Sequence, residues 1–240
     1  MGKAKRNVAA ISSPSKQKYS IIIPAAGQGQ RMKSYGAKPL IKLGDKTLIQ
    51  HQLDRIKKAF TQYKVTVVTG FQSTKVEKNL PKGIDHIENP YYEHTNVAYS
   101  ISLGMSRAET ENVLIIYGDL AFNRAALKLP LMGESLISID TSGQMKKDEV
   151  GCVVHNNLVT NMMYGLPLKW GQMMFLTGKE LKLWKEIVTS QDCSKWYGFE
   201  VLNEIINRGG SLRAFTPKNA VSTDIDTSKD IERARKICEL

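Results

Sequence analysis

Short, wholly apolar runs alternate along this chain with polar stretches that have helical periodicity. Residues 20–24 are Ile-rich, 64–69 read KVTVVT, 84–88 are brief, and 112–117 read NVLIIY. Each has the length of a strand, and the runs at 20–24 and 112–117 have the apolar, β-branched content of buried ones. Between them, Leu48, His51, Gln52, Ile56 and Phe60 recur at helical spacing behind a capping Thr47. Val97, Ile101, Met105 and Ala108 do the same behind Asn96, which can cap their helix. Strands that alternate with helices predict parallel βαβ units in one sheet.

The rhythm changes in the second half. Residues 135–140, 149–155 and 158–163 read as strands, with Asn156-Asn157 as a hairpin turn. A strand at 172–176 leads to a helix capped at Thr177, with Leu181, Trp184 and Ile187 on its inner face. A helix at 199–207 stops at Gly209-Gly210. A late strand follows at 212–215, and Thr227 caps a last helix through Ile231, Ala234 and Ile237. The expected fold is α/β: a single Rossmann-like mixed sheet flanked by helices over residues 19–240, with a flexible basic tail at 1–18.

Composition narrows the class. With 42% hydrophobic and 24% charged residues the chain is globular rather than disordered or collagen-like. No run approaches the ~20 apolar residues that span a bilayer. No apolar segment follows the basic N-terminus, so no secretory signal is expected. The three cysteines include no CxxC pair, which fits a reducing, cytoplasmic setting. The net charge is +11; five basic residues and no acid lie in the first 18, leaving +6 elsewhere. That surplus suits a polyanionic ligand. A nucleic-acid-binding module is disfavoured, because no helix-turn-helix or aromatic-plus-basic RNA motif is present.

The candidate chemistry begins at Pro24-Ala25-Ala26-Gly27-Gln28-Gly29-Gln30-Arg31-Met32, directly after the first strand, where open α/β sheets bind ligands. Gly27 and Gly29 can turn tightly and bring backbone N–H groups to phosphate oxygens, and Arg31 and Lys38 add charge. A dinucleotide fingerprint would need glycine where Met32 stands. A Walker A loop would need Ser or Thr where Pro39 follows Lys38. Asp119 ends the apolar fourth strand, a placement that suits either a turn or a divalent cation. The segment from Asp224 to Asp230 (DIDTSKD) offers a second carboxylate, with Asp226 or Thr227 as a possible helix cap.

The string GQGQRM followed by KPL resembles the opening signature of nucleotidyltransferases with a glycosyltransferase-A-like fold. The segment from Asn89 to Ser100 (NPYYEHTNVAYS) is similar to the base- and ribose-covering stretch of bacterial phosphocholine cytidylyltransferases and related sugar-phosphate nucleotidyltransferases. The resemblance covers about 19–125 well and 210–238 by one motif. It implies an enzyme that transfers NMP from an NTP, with CTP or another pyrimidine favoured, to a phosphorylated small molecule of the sugar-1-phosphate or phosphocholine type. It further implies Mg²⁺ held by Asp119 and Asp226, with Arg31 and Lys38 acting beside Asp119 in catalysis. Nucleotide contacts would come from Ala25, Ala26, Gly27, Gln28, Gly29, Arg31, Lys38, Asn96 and Ser100. Asp230 would be structural. Between the matched segments, Trp170, Trp196 and Tyr197 are candidates to cage a cationic acceptor by cation–π attraction, while Trp184 is expected in the core. The rival on the same fold is a glycosyltransferase that uses Asp224 and Asp226 as its metal pair.

Overall fold

The computed structural model describes residues 18–141 and 145–239, except for the side chains of Gln30, Arg31 and Lys33. The basic tail, apart from Lys18, thus lies outside the described residues. In chain order the elements are β1 (Tyr19–Pro24), β2 (Lys42–Leu43), β3 (Lys46–Thr47), α1 (Leu48–Ala59), β4 (Tyr63–Thr69), α2 (Ser73–Asn79), β5 (Asp85–Glu88), α3 (Val97–Met105) and β6 (Asn112–Ile116). They continue as β7 (Leu120–Phe122), β8 (Leu136–Ile139), β9 (Val150–His155), β10 (Leu158–Tyr164), β11 (Leu168–Thr177), α4 (Gly178–Ser190), α5 (Gly198–Asn207), β12 (Arg213–Phe215), β13 (Ser222–Asp224) and α6 (Ser228–Glu239).

Nine strands form one sheet in the order β5-β4-β1-β6-β11-β8-β12-β10-β9. The first four are mutually parallel, with Ile22 opposite Thr66 on one side and Ile115 on the other. From β11 onward the sheet is mixed. Side-chain alternation divides β1 between two cores. Ile21 and Ile23 pack with Ile49, Leu53 and Ile56 of α1, whereas Ile22 packs with Ile101 of α3, Trp184 of α4 and Leu202 of α5. Helices therefore cover both faces of the sheet, the arrangement expected of an α/β fold.

Local signals explain most boundaries. Thr47 and Gln50 form a reciprocal capping box at the start of α1, and Asn96 caps α3 by accepting from the N–H of Val97. Asn156 and Asn157 both have positive φ, as a two-residue hairpin turn between β9 and β10 requires. Two readings need correction. Thr177 begins α4 without a side-chain cap, because its hydroxyl bonds to Asn112 Oδ1 at 2.9 Å. Trp170 is not a cage residue: it lies inside β11 at 3% exposure, edge-on to Tyr117.

Two short pieces position the site. β7 and β13 form a separate antiparallel pair with Leu120 opposite Asp224, joined further by Ile225 N–H to Asp119 O at 3.0 Å. A third core cluster contains Met32, Leu43, Leu48, Ala121, Ile225, Ile231 and Ala234. Met32, at 1% exposure, thereby ties the glycine-rich loop to the strands that carry the two aspartates.

Candidate functional site

The glycine-rich loop leaves the end of β1 and runs into short 3₁₀ turns at Gln30–Tyr35 and Lys38–Leu40. Gly29 is the residue that makes its turn, with φ +55°. A Cβ there would stand 2.9 Å from Cε of Lys38, so the bare glycine also leaves a lane for the lysine stem. Gly27 does not share the turning role. Its φ is not positive and a Cβ would meet no protein atom within 4 Å, which leaves its face open.

The Lys38 ammonium ends between two carboxylates, 2.9 Å from Oδ2 of Asp119 and 2.7 Å from Oδ1 of Asp226. The lysine side chain is 13% exposed, whereas the aspartates retain 28% and 30%. Burial alone would lower the lysine pKa, but the charges and hydrogen bonds of Asp119 and Asp226 outweigh it and hold the value well above the ordinary range. Lys38 is therefore charged at neutral pH.

Each aspartate is held by its own scaffold. Asp119 stands on a turn in which Gly118 N–H bonds to Pro24 O at 3.1 Å. Gly118 is required there, since a Cβ would lie 2.6 Å from the same carbonyl. Asp226 precedes α6, where Oδ2 of Asp230 accepts from the N–H groups of Asp226 and Thr227 and from the Thr227 hydroxyl, at 3.1, 2.7 and 2.9 Å. Asp230 thus serves the first turn of the helix as a structural acceptor, in line with its sequence reading.

Lys38, Gly118 and Asp119 border a cavity of about 240 Å³. Ala25, Ala26, Gly27 and Gly29 line one side, and Lys38 and Asp119 lie at one end. Asn96 and Ser100 of the NPYYEHTNVAYS segment line the other, with Asn89, Tyr92, Thr95 and Tyr197. Asn89 organises this wall. Its buried amide donates to Thr95 Oγ1 and Ser100 Oγ at 2.9 and 3.1 Å, and its oxygen accepts from Tyr91 N–H. Asn96 caps α3 through Oδ1 and also lines the cavity, so the cap does not remove it from this wall. Gln28 turns outward and donates to Glu93 at 3.0 Å. The side chain of Arg31 lies outside the described residues.

A second charged cluster, absent from the sequence reading, adjoins the first through Asp224. Lys169 of β11 lies 2.8 Å from Glu149, 3.7 Å from Asp224 and 3.8 Å from Asp140. Burial raises the Asp224 pKa against the pull of Lys169, and the nearby Asp119 and Asp226 charges add to the rise. The rival glycosyltransferase reading paired Asp224 with Asp226; the structure directs Asp224 to Lys169 and Asp226 to Lys38. A lysine that works through three distant acids has no short-range signature, so only the fold makes it visible.

The donor set fits magnesium. Asp119 and Asp226 aim oxygens at a single cationic point, now marked by the ammonium of Lys38. Among the described residues no cluster of three or more His, Cys, Asp or Glu has metal-binding geometry. Two carboxylates without further protein ligands match a small hard cation that completes its shell with phosphate oxygens and water.

Comparison with known proteins agrees with this architecture. The chain resembles a CTP:phosphocholine cytidylyltransferase from Streptococcus pneumoniae, with TM-score 0.72 and 18% identity over 91% of this chain and 98% of that one. An inositol-1-phosphate CTP transferase from T. maritima superposes with TM-score 0.72 and 22% identity, over 92% and 96% of the two chains. In sequence, the bifunctional protein GlmU of Solibacter usitatus is 36% identical over 104 residues, covering 43% of this chain and 22% of that protein. A 2-C-methyl-D-erythritol 4-phosphate cytidylyltransferase from Tolumonas auensis is 34% identical over 103 residues, 41% of this chain and 43% of the relative. The chain thus spans less than half the length of these two curated relatives. The glycosyltransferase-A-like fold read from GQGQRM and KPL is the fold of these solved neighbours. Residues 21–157 match the MobA-like NTP transferase domain, more than half the chain, and the protein belongs to that family.

Proposed function

We propose that the protein transfers NMP from an NTP, with CTP favoured, to a phosphorylated small molecule and releases pyrophosphate. The observation that carries this reading is that Lys38 and Asp119 line a cavity walled by the glycine-rich loop, with Asp226 joined to the same ammonium at 2.7 Å. The named activities of the cytidylyltransferase relatives support it. For the base, Asn96 and Ser100 supply donor and acceptor groups suited to a pyrimidine edge.

The acceptor is of the sugar-1-phosphate or phosphocholine type, and the surroundings favour a cationic head group. Three carboxylates surround Lys169 next to the site, a local excess of negative charge. Tyr197, on the cavity rim, stacks on Phe199 and meets Tyr164 edge-on, which leaves two half-exposed tyrosine rings for a cation.

In this reaction an oxygen of the acceptor phosphate attacks the α-phosphorus, the bond from that phosphorus to the α,β-bridging oxygen breaks, and pyrophosphate leaves. A phosphate ester is already anionic, so no protein base is required; catalysis rests on positioning and charge neutralisation. Asp119 and Asp226 would hold magnesium, which when bound supplies neutralising charge to phosphate oxygens. The backbone of the glycine-rich loop cradles the triphosphate, and the Lys38 ammonium is within reach of the α-phosphate. Met32 keeps the loop against the aspartate-bearing strands, and Asn89 keeps the base wall in shape.

The test is pyrophosphate release with Mg²⁺, crossing four NTPs against sugar-1-phosphates, phosphocholine and phosphoethanolamine, with Asp119→Ala as control. Release confined to one NTP–acceptor pair, and lost in the variant, is the expected result. Silence across the panel with consumption of a nucleotide sugar would transfer the assignment to a glycosyltransferase.

A further inference from the structure

Gln52, 1% exposed, is a buried polar residue of α1, whose other buried residues are Leu48, Ile49, Leu53, Ile56 and Arg55. Its Nε2 lies 2.9 Å from Tyr117 O and 2.7 Å from Leu120 O. Both amide hydrogens are thus donated to the two carbonyls that bracket Gly118 and Asp119. Its Oε1 has no hydrogen-bond partner among the described residues. A leucine or methionine would fill the same space without burying an unpaired oxygen, so packing does not explain the choice. Backbone bonds also tie this turn, from Tyr117 to Gln172, from Gly118 to Pro24, from Leu120 to Tyr117 and from Ile225 to Asp119, and Lys38 bonds to the Asp119 carboxylate. Gln52 adds a side-chain clamp from the opposite layer, and no residue of α1 lines the cavity.

We propose that Gln52 is a positioning residue that fixes the Asp119 carboxylate for metal and α-phosphate, acting across the core from α1. The proposal rests on the nucleotidyl-transfer reading for its kinetic consequence and on the metal and nucleotide site of that reading for its binding consequence. Without the two donors the turn can rotate, and Asp119 and Asp226 no longer aim at one point. A partner behind a metal ligand typically alters metal affinity or activity about 10- to 100-fold.

The experiment compares wild type with Gln52→Met, which keeps length and volume but has no donors, and Gln52→Glu, which sets a carboxylate against the two carbonyls. Ile56→Val, on the same buried face, controls for stability. Mn²⁺ binding in the presence of CTP is measured by electron paramagnetic resonance, without turnover, alongside kcat and KM at a temperature where every variant is folded. The expected result for both Gln52 variants is about 10-fold weaker Mn²⁺ binding and a kcat lowered about 10-fold or more, with KM for the NTP within about twofold. Ile56→Val should retain wild-type values. Gln52→Met that loses stability like Ile56→Val yet keeps wild-type Mn²⁺ affinity and kcat would overturn the proposal. If wild type releases no pyrophosphate with any NTP yet binds Mn²⁺ with CTP, the reaction fails while the Mn²⁺ comparison still decides the role of Gln52; wild type that binds no Mn²⁺ with CTP overturns the proposal together with the metal site.

Discussion

The ammonium nitrogen of Lys38 lies 2.7 Å from Oδ1 of Asp226, although 188 residues separate the two in the chain. This contact, with its counterpart to Asp119, places a fixed positive charge where a divalent cation would be drawn. Two consequences follow. Lys38→Ala lowers kcat at least ~100-fold, a loss of about 2.7 kcal/mol in transition-state stabilisation. Lys38→Met, by vacating the point between the carboxylates, binds Mg²⁺ more tightly than wild type when no nucleotide is present, as calorimetry would register. Wild-type turnover in the alanine variant would remove Lys38 from the reaction.

The same ion cluster gives stability a pH signature. Asp119 and Asp226 raise the Lys38 pKa above its unfolded value. A raised lysine contributes stability that is full below the unfolded pKa, about 10.4, and is lost as pH rises through the folded one. The difference in urea midpoint between wild type and Lys38→Met should therefore be flat from neutrality to about pH 10 and shrink above it. A difference that widened with alkaline pH would contradict the assigned contacts.

Gly29→Ala combines a positive φ with a Cβ 2.9 Å from the Lys38 stem. The left-handed conformation costs about 1–2 kcal/mol for a residue with a Cβ, and the crowding displaces the lysine. Thermal unfolding should register the loss of stability, and nucleotide affinity should fall with it. Gly27→Ala should leave stability unchanged and weaken NTP binding alone, because its methyl group would enter only open space beside the cavity.

Asp230→Ala frees the N–H groups of Asp226 and Thr227 at the start of α6. Loss of such a cap destabilises by about 0.5–2 kcal/mol. Because Asp226 sits on the released turn, kcat should fall by about 10-fold, more than an equally destabilising change elsewhere in α6. Equal effects on stability with unchanged kcat would mean that Asp226 needs no such support.

What was legible in the sequence depended on whether the signal was local. The parallel half could be read because strands such as NVLII are fully buried and because Thr47 and Asn96 cap their helices. The helix α2 was missed, since STKVEKN buries only Ser73 and Val76 and has no apolar stripe. The pair β7 and β13 was missed because each has three residues and the partners lie about a hundred positions apart. Trp170 fell outside the strand expected at 172–176 because β11 has a register shift between Trp170 and Met174, with Gln172 at φ 54°, which breaks the alternation that marks a strand. At the site, motif resemblance pointed to Lys38, Asp119 and Asp226, and the structure brings those three together. Lys169 and Gln52 act through acids or carbonyls far away in the chain, and no spacing rule reveals such partners.

The central claim is that the α-phosphorus of a nucleotide moves to a phosphorylated acceptor. Its most direct test follows the label of [α-³²P]CTP in the presence of Mg²⁺ and phosphocholine or a sugar-1-phosphate, with Asp119→Ala alongside. The account predicts that the label appears in a diphosphate-linked conjugate in equal amount with released pyrophosphate, and that neither forms in the variant. Label that remained in CTP with every acceptor, or emerged only as free CMP, would contradict it.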